Sequence, residues 1–312
     1  MTGDAIGMMR ATFEIPQRAI IAFALALTLA APAAAQDRAR GAPQTDQTVD
    51  VSRGSQFQLD GFAGAVDVRG WDKDAVRVQA WHAADVKVAV RKLRSSAVTV
   101  EETSGHGQPA VEYAIDVPRW MPVTIDIVSD DITIEGVQAE VSAETVRGNV
   151  AVRGGAGPVH AETVEGRVLV DGARGRVEVS SVNNEIRVSD VTGEVSAETT
   201  NGAITLARIS SSNVEVETLN GNVAYDGSIE NDGHYSFTTH NGDILLALPE
   251  HAGMTLEVRT YNGSFKSDLP LSGTQPTKKG ARGIYKLGNG GAAVEVETFG
   301  GSIRLQARTG GK

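Results

Sequence analysis

The stretch "VEVETLNGNVAYDG", residues 214–227, comes back along the chain seven more times. "VSAETVRGNVAVRG" (141–154), "VHAETVEGRVLVDG" (159–172) and "VSAETTNGAITLAR" (195–208) are close copies, and looser ones start at Val177, Tyr235, Leu256 and Val294. With Val123 as a further start, the steps are 18, 18, 18, 18, 19, 21, 21 and 38 residues, the last about two units long. Self-similarity at such a period marks a repeat architecture and outranks local propensity.

Taking Val141 as position 1, each unit carries apolar residues at positions 1 and 3, then at 10 and 12. Position 10 reads Ile132, Val150, Val168, Ile186, Ile204, Val223, Ile244, Phe265 and Ile303. Period-two alternation rich in β-branched residues predicts two half-buried strands per unit. Between them, position 8 carries Gly148, Gly166, Asn184, Gly202, Gly221, Gly242, Gly263 and Gly301. Glycine, or asparagine in its place, suggests a turn at positive φ. Asp130 holds the same place in the first unit. A hairpin would leave the fixed register unexplained. A parallel stack explains it, because equal positions then lie ~4.8 Å apart along one axis and the turns must match. Position 5, with Thr145, Thr163, Ser181, Thr199, Thr218, Thr239, Thr260 and Thr298, adds a column of hydroxyls able to hydrogen-bond from rung to rung. The expected fold is therefore all-β: a single parallel β-helix of 18–21-residue rungs spanning 123–307. Alanine at position 3 in early rungs against Phe237 later, near Tyr225 and Tyr235, suggests a wider core toward the C-terminus.

The rest of the chain frames this array. Residues 1–35 read as a signal peptide, with Arg10 and Arg18 before the 13-residue apolar run "AIIAFALALTLAA" and Ala33-Ala34-Ala35 as the cleavage site. That run is too short for a bilayer, which needs ~20 residues. Residues 36–48 are polar and read as a disordered leader, 49–122 as an N-terminal cap and first coils, 268–283 as one long loop, and 308–312 as a tail. The coil "FQLDGFAGAVDVRG" (57–70) fits the rung template with Gly64 at position 8. Trp71, Trp81 and Trp120 fall in the cap section, where core or cap packing is expected. The chain has no cysteine, so disulfides and a lipobox are excluded.

The net charge of -10 argues against nucleic acid and anionic membranes as partners, and no apolar run in the mature chain is long enough for a membrane span. Six dispersed histidines without ligand spacing give no metal site, and no cofactor motif is present. Position 4 stacks Glu144, Glu162, Ser180, Glu198, Glu217, Thr238, Arg259 and Glu297 outward; such a column could attract cations, but reads first as a solvated face offset by Arg147, Arg167 and Arg187. Asp126, Asp130, Asp131 and Glu135 form the densest acidic group and could supply a glycosidase-like carboxylate pair. Of the aromatic residues able to stack on sugars, Tyr235, Phe237 and Phe265 fall at inward positions and read as core. Leu219, His240, Tyr261 and Phe299 share position 6 beside the turn and are the candidate contact ridge.

The rungs, the upstream "GAVDVRGWDKDAVRVQA" and the late "GIYKLGNGGAAVEVETFGGSIRL" together resemble the domain-of-unknown-function 4097 family, which carries an adhesin label and is similar to autotransporter-type adhesin heads. The resemblance covers about residues 55–307 and implies a right-handed β-solenoid exported by a bacterium, with no catalytic residues. The expectation is an exported, non-enzymatic, adhesin-like or envelope-associated binding module, periplasmic, secreted or at the cell surface. Its partner would be a cell-surface glycan or an envelope protein. The alternatives are a carbohydrate-active β-helix enzyme with an acidic groove and a purely structural or regulatory periplasmic protein.

Overall fold

The computed structural model describes residues 41–93, 96–104, 107, 109–274 and 282–308, so the signal segment, most of the tail and His106 lie outside it. The chain divides into Met1–Gly41 and the compact unit Ala42–Lys312. The described residues hold 27 strands and no helix, in two mostly parallel sheets of 13 and 14 strands. Each rung gives its first strand to the larger sheet and its second to the smaller. The inward side chains of both merge into one continuous apolar core.

The predicted register holds residue by residue. Val123, Val141, Val159, Val177, Val195, Val214 and Tyr235 pair in sequence. The second strands follow, from Ile132 and Val150 through to Val223 and Ile244. Late in the array Tyr225, Tyr235 and Phe237 are fully buried, with the Tyr225 and Phe237 ring centroids 5.1 Å apart. The Tyr235 hydroxyl donates to the Ser211 carbonyl and accepts from the Glu230 amide, which satisfies backbone groups of the longer turns there.

The turns differ from expectation in their physics. Gly166, Gly202, Gly221, Gly242, Gly263 and Gly301 are not at positive φ. A Cβ on any of them would collide with the position-8 carbonyl oxygen of the adjoining rung, such as Asn184 O against Gly202 and Gly202 O against Gly221. Glycine is needed for close approach, not for dihedral freedom. Positive φ values join in only toward the N-terminal end, at Gly64, at Asp130 (φ 93°) and at Gly148 (φ 154°). The same carbonyl accepts the position-5 hydroxyl: Thr163 to Gly148 O (2.9 Å), Thr218 to Gly202 O (3.0 Å) and Thr239 to Gly221 O (2.9 Å), with equivalents at Thr145, Ser181 and Thr199. Outside the core, Asn183, Asn201, Asn220 and Asn241 form an amide ladder, each Nδ2 donating to the preceding Oδ1 at 2.9–3.1 Å.

Chain order fails at both ends of the stack. The coil at Val294 does not follow that at Leu256. It lies between the Tyr235 and Leu256 coils, with Tyr235 opposite Val294 and Val294 opposite Leu256, and Ile303 likewise between Ile244 and Phe265. Composition explains the order. Val294, Val296, Ile303 and Leu305 are buried, whereas the Leu256 coil has half-buried Phe265 and Ser267 at positions 10 and 12 and tolerates the outer slot. At the other end the Phe57–Val68 coil sits between the Val98–Ile115 coil and the Val123 rung.

Antiparallel strands close the ends. Residues 45–48, expected in a disordered leader, belong to the strand Thr45–Asp50. This strand pairs with Ala75–Trp81 and is pinned by Arg77 on both Asp46 oxygens at 2.9 and 2.7 Å. Within the expected loop at 268–283, Ser272–Thr274 pairs with Gly283–Leu287, which caps Met254–Thr260; residues 275–281 lie outside the described set. The three tryptophans are half-buried in the cap section, where Trp71 donates to Ala75 O and Trp120 to Asp74.

Two measurements test this. In urea titrations, Gly202→Ala is expected to cost roughly 3 kcal/mol by overpacking and Thr218→Val about 1 kcal/mol by orphaning a carbonyl. Gly54→Ala, with nothing within 4 Å, costs only its positive φ, about 1 kcal/mol. In native-state hydrogen exchange, the amides of Val294 and Val296 are expected to be as protected as that of Val195; fraying like an ordinary C-terminal strand would contradict the intercalated order.

Candidate contact surface

Positions 2, 4 and 6 of each first strand face outward from the larger sheet. Position 6 is the last before the turn. The close-approach glycine follows it by two residues. In stacking order this position holds Phe62, Val128, Val146, Val164, Val182, Thr200, Leu219, His240, Phe299 and Tyr261, each next to a position-5 residue in register with the adjoining rungs. Val146 is 44% exposed, Val182 38%, Leu219 49%, Phe299 42% and Tyr261 36%. These are five of the seven exposed large hydrophobic residues among the described ones, so the exposure follows one rung position and not chance. Soluble surfaces seldom align apolar residues in this way without a contact to make.

Of Leu219, His240, Phe299 and Tyr261, the three ring-bearing residues lie in ring contact. The His240 and Phe299 rings stack at 4.8 Å with planes 2° apart, and Phe299 meets Tyr261 at 5.1 Å and 34°. Adjacent rings one rung apart turn their faces to each other along the axis, so their edges look outward. Beside them lies an open groove of about 400 Å³, lined by Glu217, Thr218, Leu219, Thr238, Thr239, His240, Tyr261, Glu297 and Phe299. Thr238 interrupts the carboxylate column there, with Glu217 in register on one side and Glu297 on the other. Sequence reasoning did not find Val146 and Val182, since valine reads as a strand residue whichever way it faces.

The acidic residues separate into roles. The position-4 column is in register from Glu144 to Glu217. Of the expected arginines, Arg167 and Arg187 lie at Glu185 instead; the His160 Nε2 stands 3.7 Å from both Glu144 and Glu162, and Arg259 pairs with Glu297 at 3.3 Å. The Asp126 group does not form a groove. Asp126 lies on the larger sheet opposite Asp60, where burial first and the Asp60 charge second raise its carboxyl above the usual range. Asp130 accepts from the Gly64 amide, Asp131 from the Asn149 amide and side chain, and Glu135 pairs with Arg153 on the other sheet. That arrangement gives the glycosidase-like alternative no shared site. A second hollow, in the cap, is lined by Asp46, Asp50, Asp74, Lys73, Arg77 and Trp71, whose charges serve local pairs: Arg77 on Asp46 and Lys73 over the Trp71 ring. Among the described residues no group of three or more His, Cys, Asp or Glu side chains is placed to hold a metal, and no helix is long and apolar enough to cross a membrane.

A profile of the Toastrack DUF4097 family matches residues 65–306, the whole regular stack and part of its cap. The chain belongs to this family. Two solved structures are similar to this Toastrack chain. One is a "putative cell adhesion protein" from Clostridium sporogenes, at 10% identity and a TM-score of 0.25, covering 85% of this chain and 99% of that one. The other is a "putative adhesin" from Parabacteroides distasonis, at 11% identity and a TM-score of 0.26, covering 86% of this chain and 98% of that one. No curated protein matches the chain.

If the Toastrack ridge serves contact and not folding, its exposed members are cheap to remove. Leu219→Ala is expected to change unfolding free energy by no more than about 0.5 kcal/mol. Phe299→Ala, which loses two ring contacts, is expected to cost about 1 kcal/mol. Denaturant midpoints read both, and a large loss at Leu219 would make the ridge structural.

Proposed function

We propose that this Toastrack protein is an exported, non-enzymatic binding module, adhesin-like or associated with the cell envelope, that makes contact along its position-6 ridge and the groove beside it. The observation that carries the reading is the alignment of exposed apolar residues at that one rung position, ending in the His240, Phe299 and Tyr261 ladder. Export rests on the signal-like segment 1–35. The partner would be a component of the bacterial envelope, a glycan or a protein. A rigid stack suits this role, because neighbouring contacts keep their spacing without paying for loop ordering on binding.

Two experiments test it. The protein recovered from source cells is expected in the envelope, periplasm or medium with Gln36 as its N-terminus; an intact Met1 in the cytosol would overturn export. Purified mature protein is expected to bind envelope fragments saturably, and Leu219→Asp with Phe299→Ser to abolish that binding while the circular dichroism spectrum is kept.

A further inference from the structure

The groove has a charge pattern that goes with its shape. At position 2, Ser236 stands in register between Glu215 and Glu295, as Thr238 does between Glu217 and Glu297 at position 4. Two small hydroxyl residues thus form a saddle with a pair of carboxylates on each side. Glu215, Glu217 and Glu295 are exposed, and among the described residues no cation pairs with them; of the four, Glu297 alone shares Arg259. The two carboxylate pairs are two rungs apart, about 9.6 Å. One flank of the saddle is the ring ladder.

We propose that this saddle takes a basic, extended polypeptide segment in the polyproline II conformation, with cationic side chains three residues apart. The inference rests on the contact-surface reading above and names its partner class. Three observations select this occupant. The charge is the first: an acidic face on a chain of net charge -10 repels a second copy and anionic lipid and attracts lysine or arginine. The second is the ring geometry. His240 and Phe299 turn their faces to each other, so the broad surface on which a sugar ring would stack is taken, while their edges remain free to pack against prolyl rings and aliphatic stems. The third is the spacing. A polyproline II helix rises about 9.3 Å per three-residue turn, close to two rungs. Same-side residues of a β-strand recur every ~6.8 Å and an α-helix turns every ~5.4 Å. Preformed polyproline II segments also dock in aromatic-walled grooves at low entropic cost.

The probe is a fluorescent peptide of repeating Arg-Pro-Pro triplets, titrated by anisotropy with the full chain. Binding is expected to weaken as salt rises. Glu217→Gln and Glu295→Gln are each expected to weaken it roughly fivefold, and Thr238→Lys to abolish it, with urea midpoints unchanged. A peptide of the same composition with its arginines clustered in adjacent pairs is expected to bind more weakly; equal affinity would overturn the proposal. If neither peptide binds but Leu219→Asp still removes envelope binding, the basic ligand is wrong and the contact surface stands. If Leu219→Asp also has no effect there, the underlying reading fails as well.

Discussion

One carbonyl oxygen per rung governs this structure. The position-8 carbonyl leaves no space for a Cβ on the glycine of the adjoining rung, and it also accepts that rung's buried threonine or serine hydroxyl. Contact and hydrogen bond act on the same atom, so glycine and a hydroxyl residue recur together in most rungs, with Asp130 and Asn184 in the glycine's place in two. The result is a lock on register. A slip of one residue would put every core side chain on the wrong face, and here it would also drive a bulky residue into the carbonyl. With the turns locked, every outward column is aligned as well: the asparagine ladder, the carboxylates and the apolar ridge are consequences of the same constraint.

The ends of the stack use that lock in a different way. A one-dimensional array is weakest at its termini, where the last unit has a single neighbour. Here the most C-terminal coil, Val294–Leu305, has a neighbour on each side, and so does the early coil at Phe57. The outermost coils are internal to the chain and are closed by antiparallel strands. Holding a slot open until later residues fill it costs loop closure, which grows only slowly with length. In return, both faces of a fully apolar coil are covered. The C-terminal end of the core is complete only once the final strand has been added.

Much of this was legible in the sequence, for a definite reason. A stacked rung imposes the same environment on each position, so period, strand pair, turn and hydroxyl column could all be read from residue types. The pattern specifies where a residue lies within a rung but not which rung lies beside it, so the two intercalated coils were not found. Ser267 at an inward position was the available signal, since a polar residue there marks an outer coil. The strand Thr45–Asp50 was missed because an edge strand held by Arg77 and Asp46 needs little apolar content. The glycines were found for the wrong reason, because steric closeness and positive φ select the same residue. For the contact surface, the aromatic end was legible because aromatics at a turn are unusual, while Val146 and Val182 carried no distinguishing signal.

The stacking constraint also bears on what such a surface can recognise. Side chains in a column are held about 4.8 Å apart, so flat groups in successive rungs cover each other's faces. This lowers the cost of exposing His240, Phe299 and Tyr261, because each ring is partly desolvated by the next. It also removes the faces from use and leaves edges, charges and intervals as the features a partner can read. A surface of that kind discriminates by spacing more than by pocket shape. The distinguishing places along it are the interruptions in its columns, and the widest lies at Ser236 and Thr238, where both outward columns lose their carboxylates in the same rung.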